Sequence, residues 1–158
     1  MAYKVTDISN WFINRALWDA NSNFGDYMTN LKLQKLLYYA QGTYGAMCDK
    51  PLFDENIVHW QHGPVVVEAY EYVKALKEKE VDEYYDPCNS IKQGIDSQGF
   101  DKKTNGILME VYDVFGQYSA WKLRDMTHEE DPWRNTKFKE VIPFEVIKDY
   151  FKREWIEK

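Results

Sequence analysis

A chain of 158 residues with 44% hydrophobic content is sized for one domain, 1–158, whose core needs neither metal nor disulfide to hold it. Its 26 acids against 20 bases give a formal charge of −6 with no basic run, which disfavours direct nucleic-acid binding, because phosphate contact needs clustered Lys and Arg. No apolar stretch approaches the roughly 18 residues of a membrane span, and the start, Met1-Ala2-Tyr3-Lys4-Val5-Thr6-Asp7, turns polar at once, so no membrane insertion and a cytoplasmic location are expected, with Cys48 and Cys88 as reduced thiols.

The first helix is expected to begin at a Thr6 or Asp7 cap, with Ile8, Phe12 and Ala16 on one face and Trp11 beside them. Turn-forming residues make 21–26 a loop. Thr29 can cap a second helix in which Leu33, Leu36, Leu37, Ala40, Tyr44 and Met47 form one core-facing stripe; Lys32, Lys35 and Tyr39 then point away from it. Asp49-Lys50-Pro51 ends that helix. Residues 57–61 are β-branched and aromatic enough for a short strand or extended segment. Gly63-Pro64 reads as a sharp turn into a third helix with Pro at its first position and Val66, Ala69, Tyr70, Val73 and Leu76 inside. Lys77 to Glu80 would be its solvated end. The stretch 81–103 reads as a long loop, with a short extended piece near 91–95.

A fourth helix is expected from Thr104 or Asn105 to a closing Gly116, burying Ile107, Leu108, Val111, Tyr112 and Phe115. Ser119 caps a fifth that carries Trp121, Leu123 and Met126. Asp131-Pro132-Trp133 has the order of a cap, a first helical residue and an anchor. Pro143 opens the last helix, with Ile147, Tyr150, Phe151 and Trp155 at helical spacing. The expected fold is mainly α: a compact bundle of about six or seven helices with at most a minor β element.

Three blocks carry a resemblance. Leu31-Lys32-Leu33-Gln34-Lys35-Leu36-Leu37-Tyr38-Tyr39-Ala40-Gln41-Gly42 is followed by Pro51-Leu52-Phe53-Asp54-Glu55 with Trp60-Gln61-His62-Gly63-Pro64-Val65-Val66. Then come Ser119-Ala120-Trp121-Lys122-Leu123-Arg124 and His128 through Trp133. In this order, from about Val5 to Tyr150, they resemble the Panacea domain, the SocA-like or phage-associated (GepA-type) family. The resemblance implies an antitoxin of prophages and mobile elements that neutralises a protein toxin by direct binding. One branch of the family delivers its toxin to an ATP-dependent protease, which makes a proteolytic adaptor the alternative. Members with self-regulation carry an added DNA-binding segment; with the signature beginning almost at the N-terminus, none is expected here. The family has no established catalytic residues, and no enzyme activity or cofactor is expected.

In the residues themselves, His59 and His62 have H-x-x-H spacing, the only hint of a metal-dependent enzyme. The spacing is not that of H-E-x-x-H, no Cys-x-x-Cys accompanies it, and Gly63-Pro64 breaks any helix there, so packing or surface roles are expected. Cys48 at a helix end and Cys88 among acids are poor thiolates. Asp54-Glu55 and Glu129-Glu130-Asp131, beside prolines, read as exposed loop and cap residues. Lys32 and Lys35 read as a solvated face or as partners for acids of a bound protein. Of Tyr38 and Tyr39, one is expected to pack and the other to make contact. Trp60 and Trp133 read as core anchors or interface hot spots. The candidate partner-binding set is therefore Lys32, Lys35, Tyr38, Tyr39 and Trp60. Leu33, Gln34, Leu36, Leu37, Gly63, Pro64 and Trp133 form the structural signature, with Gln34 and Gln41 bonding to backbone inside the domain. The aromatic surface would also support self-association.

Overall fold

The computed structural model describes residues 2–21, 28–82 and 99–157. Among them the chain forms α1 (Val5–Asn21), α2 (Asn30–Cys48), β1 (Ile57–Trp60), β2 (Gly63–Val65), α3 (Val67–Asp82), α4 (Lys102–Phe115), α5 (Ala120–His128), α6 (Asp131–Arg134), β3 (Val141–Ile142) and α7 (Phe144–Phe151), which continues as a π-helical turn (Lys152–Ile156). The architecture is mainly helical with a three-stranded antiparallel sheet in the order β2-β1-β3. No helix among the described residues is long and apolar enough to cross a membrane. The expected loop at 21–26 and the extended piece near 91–95 fall almost wholly outside the described residues, as do Cys88 and the side chains of Lys77 to Glu80.

The fold is organised around α2. Thr29 caps it, its hydroxyl accepting from the Lys32 amide at 3.1 Å. It stops where Asp49 turns left-handed at φ 57° and returns its N–H to Gly45 O at 2.9 Å. Every residue from Leu33 to Ala46 is buried, because α1, α3, α4, α5, α7 and β2 all pack on it. The sequence shows one apolar stripe, yet the opposite face is enclosed too. Lys35 is therefore no part of a solvated face, and neither Tyr38 nor Tyr39 is a surface contact. Met47, at the end of the stripe, is 49% exposed instead of core.

Enclosing a polar face requires partners for its polar groups. Gln41 donates to Phe53 O (2.8 Å) and accepts from the Leu52 amide (2.8 Å), fastening residues 52–53 to the helix. Leu52 O in turn accepts from the Tyr3 amide at 2.9 Å. Gln34 accepts from the Val66 amide at 2.9 Å and donates to Asn30 at 2.9 Å. At Gly42 the helix surface is cut away for α7: a methyl there would collide with the Phe151 ring.

The region 57–66 forms a hairpin, so Pro64 does not open a helix. Trp60 pairs with Gly63, His59 with Pro64 and Val58 with Val65. Gly63 sits at φ 112°, accessible to glycine but costly for other residues, and turns the chain back at once. Pro64 is tolerated because β2 is an edge strand, and α3 starts three residues later at Val67. Smaller differences lie at the helix ends. Asp101 accepts from the Thr104 amide at 2.7 Å, so α4 begins earlier than its apolar pattern. Gly116 closes that helix in a right-handed conformation. Glu130, not Asp131, precedes α6.

Candidate functional site

Two sites meet along α2, one sealed and one open. The sealed one lies where α2 faces the α5–α6 junction. Glu130 is 5% exposed, not a surface cap residue, and its two carboxylate oxygens accept from Tyr38 (3.0 Å) and Tyr39 (3.2 Å). Burial pushes the Glu130 carboxyl up to about 7, against the pull of hydrogen bonds from Tyr38, Tyr39 and Trp155. The same burial, with Glu130 alongside, raises both tyrosines well above their ordinary range, so they stay protonated donors. One turn earlier Lys35 is fully buried and donates to Pro64 O at 3.1 Å. Burial, with repulsion from Arg124 added, lowers its amine to about 7. Lys35 also explains Gly63 sterically: a Cβ there would come within 2.7 Å of Lys35 Cε and 2.8 Å of the Thr127 hydroxyl.

Beside this seam Trp133 is stacked between two imidazoles. His59 lies 4.1 Å away at 18° and His128 3.9 Å away at 10° (centroid distances and interplanar angles). The indole N–H donates to Trp60 O at 3.1 Å, and His59 Nδ1 is 2.9 Å from Trp133 O. His62 is held separately, accepting from Arg124 Nε at 3.1 Å. The H-x-x-H pair is thus divided between a strand and a turn and engaged in unrelated contacts. Among the described residues, no three His, Cys, Asp or Glu side chains gather closely enough to hold a metal ion.

The open site is a groove of about 640 Å³ between the start of α2, the β1–β2 hairpin, α3 and α5. Leu31, Trp60, Val65 and Tyr70 line it, with Trp60 edge-on to Tyr70 at 5.2 Å. Two of its polar lining residues, Asn30 and Gln34, are committed to each other and to backbone, Asn30 also donating to Tyr70 O at 3.1 Å; Gln61, His62 and Lys139 line it as well. Trp121 and Phe138 stand at the rim, 57% and 60% exposed. Phe138 is held there by a turn fastened to β1: the Lys139 amide donates to His59 O at 2.7 Å, and the His59 amide to Glu140 O at 3.0 Å.

Of the residues singled out in the sequence, Trp60 is in the groove wall, with Gln34 and His62 around it. Lys35, Tyr38 and Tyr39 lie in the sealed seam, and Lys32 is half-buried, donating to Gly116 O at 2.6 Å. Trp121, Phe138 and Lys139 were not singled out as contacts. A signal existed for Phe138, an aromatic flanked by Lys137 and Lys139. For Trp121 there was none, since its spacing fits a buried helical face equally well.

No curated protein and no solved structure matches the chain significantly. A family model does: residues 33–134 match the antitoxin SocA-like family, Panacea domain. The matched span runs from α2 through α6 and includes Glu130, Lys35, Trp133 and most of the groove wall. The chain belongs to the SocA-like antitoxin family and carries its Panacea domain.

Proposed function

We propose that this chain neutralises a protein toxin by binding it directly as a single domain, without a catalytic step of its own. The observation that carries the reading is the family membership of residues 33–134 together with an open groove whose rim holds two large exposed aromatics, Trp121 and Phe138. Exposed aromatics beside a concave apolar wall are what interfaces concentrate, because a few such side chains supply most of the binding energy. Lys35 and Glu130, the two groups brought to about 7, are sealed from solvent and spent on internal hydrogen bonds, which suits structure better than turnover.

The test is co-expression with the protein encoded beside it. Growth arrest by that protein alone, relief by this chain, and a stoichiometric complex on sizing with light scattering are the expected results. Arrest that this chain fails to relieve would defeat the reading. Relief that requires an active ATP-dependent protease would identify a delivery mechanism instead of masking.

A further inference from the structure

Among the residues that line the groove, none carries a carboxylate, whereas Lys139 and His62 do line it. Arg124 stands beside His62, with its guanidinium 5.4 Å from the Trp121 ring centroid, although Asp125 takes one of its nitrogens at 3.0 Å. In a chain of net charge −6 this is a local reversal of sign. Lys139 has no ion pair among the described residues; its ammonium lies 5.5 Å from the Phe138 ring centroid. Its backbone is left-handed at φ 70°, an unfavourable state for a lysine. That conformation, fixed by the 2.7 Å bond to His59 O, sets Phe138 and Lys139 side by side on one lip. Trp121 also lines the groove, with Arg124 against its ring.

The volume alone would admit a small molecule. A small-molecule site, however, needs several free polar groups converging inside; here Asn30 and Gln34 are used up by the fold, and Gln61 sits on the exposed hairpin turn. What remains is a wall made mostly of apolar and aromatic side chains, with Gln61, His62 and Lys139 as its other polar lining, the layout of a groove that takes a segment of another protein.

We infer that the groove takes a segment of the toxin in which apolar side chains seat against Trp60, Trp121 and Phe138 and a flanking Asp or Glu pairs with Lys139. The inference rests on the antitoxin reading and assigns it a surface and a partner chemistry. The pairing at the rim steers and orients, while the aromatics hold.

The experiment uses the full chain and the purified toxin, inactivated at its own active site, in a calorimetric titration at low and moderate salt. Trp121→Ala is expected to weaken binding about thirtyfold, the range of an interface hot spot. Lys139→Glu is expected to weaken it about tenfold at low salt and to flatten the salt dependence, whereas Lys139→Arg keeps both. These side chains are exposed, so circular dichroism should show all variants folded. A scan of Asp→Lys and Glu→Lys changes on the toxin should find one that restores affinity to Lys139→Glu. If the wild-type chain binds and all three variants bind equally well, the groove assignment is overturned and the antitoxin reading stands. If Trp121→Ala weakens binding but Lys139→Glu does not, the acidic segment is overturned. If the wild-type chain neither binds nor relieves toxicity, both readings fall together.

Discussion

Replacing Lys35 by Met should remove a specific dependence of stability on pH. In the folded chain the amine is held to about 7 against an ordinary value of 10.5. Between those values the unfolded chain keeps a proton that the folded chain releases. Stability from this site is therefore lowest below pH 7 and rises as pH climbs towards 10.5. At about 1.4 kcal/mol per pKa unit the penalty is on the order of 4 kcal/mol at pH 7 and about 2 kcal/mol at pH 9. The wild-type chain should thus gain about 2 kcal/mol over that interval from Lys35 alone. Met fills a similar unbranched volume but leaves Pro64 O without its donor, a loss of about 1–3 kcal/mol. The variant should be more stable than wild type at pH 7, and the difference should shrink or reverse at pH 9. Urea unfolding followed by tryptophan fluorescence at pH 7, 8 and 9 reads this directly, and titrations common to both proteins cancel. Parallel stability profiles would refute the reasoning, since they would mean that Lys35 keeps its proton inside or is not enclosed.

Glu130 works in the opposite direction: its folded value of about 7 lies above the ordinary 4.5, so its contribution is full below pH 4.5 and lost as pH rises through 7. Glu130→Gln keeps an acceptor for Tyr38 and should abolish a fall of about 2 kcal/mol between pH 5 and 7.5, measured by the same unfolding assay; an unchanged fall would place its origin elsewhere. Gly42→Ala should lower the urea midpoint by an amount equivalent to about 1–2 kcal/mol, because the added methyl runs into the fully buried Phe151 ring and overpacking outweighs the gain in helix propensity. A raised midpoint would show that α7 gives way freely. Gln41→Leu should cost about 2–4 kcal/mol by orphaning the Leu52 amide and Phe53 carbonyl, and it should speed hydrogen exchange at Leu52; undiminished protection there would argue against this fastening.

The apolar half of α2 was legible in the sequence because Leu33, Leu36, Leu37 and Ala40 repeat at helical spacing. Its other half was not, because periodicity reports polarity and not exposure. Lys35 and one of the pair Tyr38 and Tyr39 look available for contact until Pro64 and Glu130, 29 and about 90 residues away, are brought against them. Gly63-Pro64 misleads for a related reason: the pair suits a helix start and an edge-strand turn alike, and only pairing with Trp60 and His59 decides. Trp60 could be named as a candidate contact, while Trp121 and Phe138 emerge only when α5 and the turn before β3 converge on one groove.

The encirclement of α2 also sets an order of events in the life of the chain. Tyr38 and Tyr39 lack their acceptor until Glu130 exists, and the cut at Gly42 is unfilled until Phe151 arrives. A ribosome that has emitted the first hundred residues has therefore made the central helix and the backbone partners of Gln34, Lys35 and Gln41, but neither the acceptor of Tyr38 and Tyr39 nor the ring that fills the cut at Gly42. Contacts of such wide sequence separation slow folding and leave incomplete chains exposed to proteases. On the proposed antitoxin reading, protection would come only from finished molecules, and an interrupted synthesis would stop its supply.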